Sequence, residues 1–182
     1  MPVIMGKDGD AALIDECKRG NRGAMSQLVS QYEKPVYNAA YRILGSVDDA
    51  ADTTQTVFLK VFEHLNDYDP QYKFFSWIYR IAINESLNQV KKRRHQEPLA
   101  ETEASPWQGP AQELESERLC DRVQAAMMQL SEDYRAVVVL KHFSGCSYQE
   151  ISLILQLPEK TVKSRLYSAR QVMKKVLEEE SQ

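Results

Sequence analysis

The chain has 182 residues, 43% of them apolar and 27% charged, the composition of an ordinary folded protein of one or two small domains. No apolar run approaches the roughly 20 residues that cross a bilayer, and the N-terminus lacks a basic segment followed by an apolar one. Direct membrane insertion and a secretory leader are therefore not expected, and the chain is read as cytoplasmic. The net charge of −3 conceals a segregation. Residues 1–90 hold 9 Lys and Arg against 12 Asp and Glu, 91–95 are the basic block KKRRH, 96–117 hold six Glu and no Lys or Arg, and 141–177 hold 7 Lys and Arg against two Glu.

Helical periodicity runs through almost the whole chain, and no stretch alternates for long, so the fold class is all-α. A short helix is expected around 9–19, ending at Gly20. A second runs from about Gly23 to Leu44, stops at Gly45 and should bend at Pro35. Val47-Asp48-Asp49 opens a third, with acids that suit the positive end of the helix dipole. Asp69-Pro70 marks a loop, and a fourth helix follows from FFSWIYRIAIN to the basic block. Residues 96–112 carry three of the seven prolines and almost no periodicity, which makes them a flexible acidic linker between two small helical domains at 8–95 and 113–178. Helices resume from Glu113 and again after Ser131, an N-cap residue.

Ser147-x-x-Glu150 has the form of a capping box and fixes the start of a short helix, YQEISLIL. Pro158 suits the first position of the next helix. There Val162, Leu166, Ala169, Met173 and Val176 recur at spacings of 4, 3, 4 and 3 as one apolar stripe. Lys160, Lys163, Ser164, Tyr167, Arg170, Gln171 and Lys174 fall on the other side. Capped helix, turn and basic second helix describe a helix-turn-helix whose second member meets base edges and phosphates in a major groove. The alternative is an amphipathic surface helix with a solvated basic face.

Six aromatics crowd the twelve positions from Tyr68 to Tyr79. Phe75, Ile78, Ala82 and Ile83 can form a core stripe, while Trp77, Arg80, Asn84, Asn88 and Lys91 recur on another face. Rings beside cations and amides are what unpaired bases require, because rings stack on base faces while cations hold phosphates. The same rings could also simply fill the core of a small helical domain. Cys17, Cys120 and Cys146 form no CxxC pair, and His64, His95 and His142 give no ligand spacing, so no metal site is expected. Cys146, next to the turn before a capped helix, is the thiol to watch for reactivity. No P-loop and no triad of nucleophile, base and orienter is present, so neither an enzyme, a cofactor nor a small-molecule substrate is expected.

Two motif pairs go further. D-x-x-Q-x-x-F-L precedes F-x-x-W-I-Y-R-I-A-x-N, and S-Y-x-E-I-S precedes P-x-x-T-V-K-S-R-L-x-x-A-R. In this order they resemble a bacterial RNA polymerase sigma factor of the extracytoplasmic-function (ECF) type, over nearly the whole chain. The resemblance implies sigma region 2 in 8–95, region 4 in 113–178, and an alternative sigma factor that brings core RNA polymerase to promoter DNA and helps melt it. It implies docking of Asp49, Asp52, Gln55, Phe58 and Leu59 on the clamp coiled coil of the largest polymerase subunit, and a region 4 contact to the flap of the second subunit. Thr53-Thr54 and Thr56 stand where the family more often has an apolar pair and Glu. It assigns the −10 element to the loop Asn66–Phe74, including Tyr68, and to Trp77, Arg80, Asn84, Asn88 and Lys91. The −35 element falls to Lys160, Lys163, Ser164, Arg165, Tyr167 and Arg170, with Lys160 standing where the family usually has Gly. An anti-sigma factor is the expected regulator, and the acidic linker is expected to pass through the polymerase as a mimic of a nucleic-acid backbone. A conventional helix-turn-helix regulator accounts for 141–177 equally well, but leaves DTTQTVFL and the aromatic-basic segment unexplained. A helical interaction protein such as an anti-sigma antagonist would need no basic reading face.

Overall fold

The computed structural model describes residues 10–96 and 111–179. Most of the acidic linker, 97–110, lies outside the described residues. Among the described residues eight α-helices follow one another: α1 (Asp10–Lys18), α2 (Arg22–Leu44), α3 (Val47–Glu63), α4 (Phe74–Gln96), α5 (Ala111–Met128), α6 (Glu132–Val138), α7 (Tyr148–Leu155) and α8 (Glu159–Glu179). A 3-10 turn (Leu65–Asp67) follows α3, and α6 runs into a turn of π-helix (Val139–Phe143). No strand occurs among the described residues.

Local chemistry sets the boundaries. Asn21 caps α2, its Oδ1 accepting from the N–H groups of Gly23 and Ala24 at 2.9 and 3.3 Å. Gly45 ends α2 in the left-handed region at φ 71°, and Ser46 caps α3 through the N–H of Asp49. Ser131 caps α6, and Ser147 and Glu150 form the capping box of α7 reciprocally, at 3.1 and 2.8 Å. α2 is one continuous helix through Pro35, whose carbonyl accepts from the Tyr79 hydroxyl at 3.2 Å. Pro158 stands one residue before α8 rather than in its first position, its carbonyl accepting from the N–H groups of Thr161 and Val162.

The N-terminal half packs Leu28, Tyr32, Val36 and Ile43 of α2 against Val57 and Val61 of α3 and Phe74, Ile78, Ala82 and Ile83 of α4. Phe74, rather than Phe75, takes the fully buried place in the α4 stripe; Phe75 is half-buried and stacks 4.2 Å from Tyr79. Each such aliphatic or aromatic side chain contributes about 1.5–3 kcal/mol by leaving water. The C-terminal half gathers Ile151 and Ile154 of α7 and Val162, Leu166 and Ala169 of α8 onto Val137–Leu140.

These two apolar centres merge into one core. Arg135 of α6, 5% exposed, reaches back to the Ile43 carbonyl of α2 at 2.5 Å. Met128 packs over Gly45, and the Arg42 guanidinium lies 4.6 Å from the centroid of the Phe143 ring while donating to Gln124 at 3.0 Å. α7 lies along α4. The two halves therefore meet directly as well as through the linker.

Candidate nucleic-acid interface

α8 owes its orientation to its stripe. Val162, Leu166 and Ala169 are buried and Met173 and Val176 half-buried, which turns the opposite side outward. Lys160, Lys163, Ser164, Tyr167 and Arg170 are all exposed there, Tyr167 at 67%. The turn before α8 is held by Gln156 in the left-handed region at φ 55° and by the Ser152 hydroxyl, which donates to the Leu157 carbonyl. Both are local devices that set the angle between α7 and α8.

The cations on this face are positioned. Lys163 lies 5.3 Å from the Tyr148 ring centroid, with Lys141 at 4.7 Å from the same ring, and 3.6 Å from Glu159. The Arg170 Nη2 donates to His142 Nε2 at 3.3 Å. Burial, with the Arg170 and Lys141 charges, holds the His142 pKa below the usual imidazole value, so near neutral pH it is the neutral acceptor that Arg170 needs. Arg165 differs from its neighbours: half-buried, it pairs with Asp133 of α6 at 2.7 Å, tying the recognition helix to the scaffold.

A second surface lies on the loop after α3 and on α4. Trp77 is half-buried and sits 5.6 Å from both the Tyr68 and Phe74 rings. Tyr68, expected to meet DNA, is largely buried; its hydroxyl donates to the Tyr72 carbonyl at 2.6 Å and Lys18 of α1 lies 5.9 Å from its ring. Asn84, Asn88 and Lys91 are exposed along α4. Arg80 is half-buried and donates to the Leu153 carbonyl of α7 at 2.7 Å. Beside the loop is a cleft of about 390 Å³ lined by Asp10, Asp15, Lys18, Tyr68 and Lys73 among others, and beside Trp77 a smaller one of about 250 Å³.

The expected polymerase-facing residues divide. Asp52, Gln55 and Leu59 are exposed on one stripe of α3, Leu59 at 64%. Phe58 is 7% exposed and belongs to the core beside Phe62, supporting that stripe from beneath. Asp49 is turned toward Arg93 of α4, with which it pairs. Thr53 and Thr54 are buried, and the Thr54 hydroxyl is satisfied by the Ala50 carbonyl at 2.7 Å, so the polar pair occupies an apolar position without an orphaned group. Cys146 is corrected outright: 1% exposed, its thiol is pushed up to about 12 by burial, and it is no reactive site. Lys18 was missed by sequence reasoning, and Lys73 lies in the loop 66–74 assigned there to the −10 element without being singled out. Lys73 carried a signal, because it stands at the N-cap of α4, where a cation opposes the helix dipole.

An exposed basic helix behind a capped helix and turn, beside a second aromatic-basic surface on α4, defines a protein of the helix-turn-helix class. Family models for Sigma-70 region 2 and Sigma-70, region 4 match residues 28–96 and 120–173. The ECF RNA polymerase sigma factor SigW of Bacillus subtilis is 30% identical over 177 residues, covering 90% of this chain and 94% of that protein. The RNA polymerase sigma-H factor of Pseudomonas aeruginosa is 30% identical over 187 residues, covering 96% and 97%. Among solved structures, CnrH in complex with the cytosolic domain of CnrY superposes with a TM-score of 0.73 at 26% identity, over 94% of this chain and 98% of that one. The sigma factor RpoE in complex with the anti-sigma factor NepR from Bartonella quintana shares the fold, with a TM-score of 0.70 at 22% identity over 84% and 96%. The chain belongs to the ECF family of RNA polymerase sigma factors, initiation subunits that take core polymerase to promoter DNA.

Proposed function

We propose that α8 reads a −35 element through Lys160, Lys163, Ser164, Tyr167 and Arg170, with Arg165 fixing the helix to α6. The observation that carries this reading is the exposed face on which these five side chains converge while the opposite stripe is buried. A two-sided helix of this kind places cations and hydroxyls at major-groove depth. The −10 element is assigned to the loop 66–74 and to Trp77, Arg80, Asn84, Asn88 and Lys91, where a ring beside cations can hold an unstacked base. Tyr68 supports that loop. Asp52, Gln55 and Leu59 form the contact to the clamp of the largest polymerase subunit, with Phe58 beneath them and Asp49 held by Arg93. The C-terminal half meets the flap of the second subunit.

The chain works in the cytoplasm without catalysing a reaction, as two functional units at 8–95 and 113–178 joined by the acidic segment 96–112. No described helix is long and apolar enough to cross a membrane. An anti-sigma factor controls it; support comes from the overall likeness to CnrH, solved in complex with the cytosolic domain of CnrY. The test is run-off transcription from a genomic promoter library by core polymerase with and without the protein. Transcripts that need it should share two upstream elements. K163A and R170A should each lose about 1–3 kcal/mol of −35-dependent activity if they touch base edges, whereas D52A or Q55A should lower polymerase affinity with α7 and α8 intact. Full activity of both sets on a matched promoter would reject the assignments.

A further inference from the structure

We infer that Glu150 of the helix-turn-helix is a latch on the −10 surface, occupying Lys73, the cation of the loop 66–74, until the promoter strand does. This rests on the promoter reading above. Lys73 is the N-cap of α4: its carbonyl accepts from the N–H groups of Ser76 and Trp77. A Lys there cannot accept the orphan N–H groups that Ser, Asn or Asp would take, and its charge meets the positive end of the helix dipole. The position is poor for the helix, so its use lies elsewhere. Its Nζ sits 2.6 Å from Glu150 Oε1.

Arg80 lies two turns further along α4, and its Nη2 donates to the Leu153 carbonyl at 2.7 Å. Leu153 belongs to the last turn of α7, whose carbonyls are the negative end of that helix. Both cations are thus met by oxygen acceptors of one helix, a carboxylate and a helix-end carbonyl, standing where phosphate oxygens would stand. The Leu153 side chain also walls the 250 Å³ cleft beside Trp77. The substitution is incomplete, because the Arg80 Nε is buried with no acceptor. A phosphate offers several oxygens and can take Nε and Nη together, which a single carbonyl cannot. The strand therefore satisfies Arg80 better than α7 does, and displacement runs toward DNA. Glu150 is suited to this role because one of its oxygens serves the Ser147 cap while the other holds Lys73.

The experiment is a fluorescence-anisotropy titration of a labelled single-stranded −10 oligonucleotide into the full chain and its E150Q, K73Q and E150Q/K73Q variants, at low and high salt. Gln keeps the capping box, so E150Q removes the charge without the cap. E150Q should bind about threefold to fivefold more tightly at low salt, with the gain shrinking as salt rises. K73Q should bind more weakly than wild type, and the double variant should show no gain over K73Q. Unchanged low-salt affinity in E150Q would overturn the latch, and wild-type affinity in K73Q would overturn the contact. If no variant binds the oligonucleotide and core polymerase yields no dependent transcript, the promoter reading itself falls, a distinct result that takes this inference with it.

Discussion

Replacing Arg135 by Ala should do more damage than any other single change at the junction of the two halves. Its guanidinium is buried and donates to four carbonyls: Nε to Met127 at 3.0 Å, Nη2 to Met128 and Leu130 at 3.0 Å each, and Nη1 to Ile43 at 2.5 Å. Three of these belong to the end of α5 and the turn after it, and the fourth to the last turn of α2, so one cation serves two helix termini; the Met127 carbonyl also accepts from the Leu130 N–H at 3.1 Å. Hydrogen bonds to a charged group contribute about 1.5–3 kcal/mol each, which naively sums to more than the stability of many proteins. Two corrections reduce the figure. The bonds share one donor group and are not additive, and removing the side chain also removes the cost of keeping a guanidinium out of water. A net loss of about 3–5 kcal/mol remains, because the buried carbonyls lose a charged donor and the space it filled is left empty. For a chain of this size that is a fall in Tm on the order of 10 °C. Urea unfolding followed by circular dichroism, with calorimetry, measures both quantities. The transition should also broaden or split, since the Ile43 contact joins the halves. R135K keeps the charge but loses the fork, and should recover only part of the loss. A loss below about 1 kcal/mol with a single unchanged transition would refute the reasoning.

G45A should cost about 1–2 kcal/mol in the same urea assay, because φ is 71° there and a Cβ would stand 2.9 Å from the Met128 Sδ; an unchanged midpoint would contradict this. Titration with a thiol reagent under native conditions should modify the exposed Cys120 alone, with the buried Cys17 and Cys146, both of whose thiols burial pushes up, reacting only in denaturant. Burial raises the Glu150 carboxyl, but hydrogen bonds from Lys73 and Ser147 outweigh it and leave the pKa below its ordinary value. A carboxyl lowered on folding contributes stability that is complete above its unfolded pKa and is lost as pH falls through the folded one. The Lys73–Glu150 pair should therefore be intact near neutrality and be lost only as pH falls through the lowered range of this carboxyl, a step in oligonucleotide affinity that E150Q should abolish.

What the sequence made legible is what a few neighbouring residues decide. Gly45, Ser131 and the Ser147–Glu150 box act over four residues at most, and each ends or starts a helix where expected. The α8 face could be read because one side of a helix is enough to fix the other. Apart from one-residue slips at Pro158 and at Phe74 and Phe75, the failures involve partners far along the chain. Asp49 shares the α3 stripe with Asp52, yet Arg93 draws it inward from 44 positions away. Cys146 reads as a loop thiol, but the π turn pulls it under, its N–H donating to the Leu140 carbonyl at 2.9 Å, and α7 lies along α4 beside it. Arg135 sits in EDYRAVVVL like any solvated cation, and only the meeting of α2, α5 and α6 makes it a buried one. Composition separated two domains at the prolines and said nothing about whether they touch, since neither the Lys73–Glu150 pair nor the Arg135–Ile43 bond has a local signature. The division has a physical consequence. Caps and stripes build the α8 face and the α4 surface each by itself, whereas contacts spanning 73 to 92 positions bring the two together. On the proposed reading, the first kind of information specifies what the chain reads, and the second when it can read it.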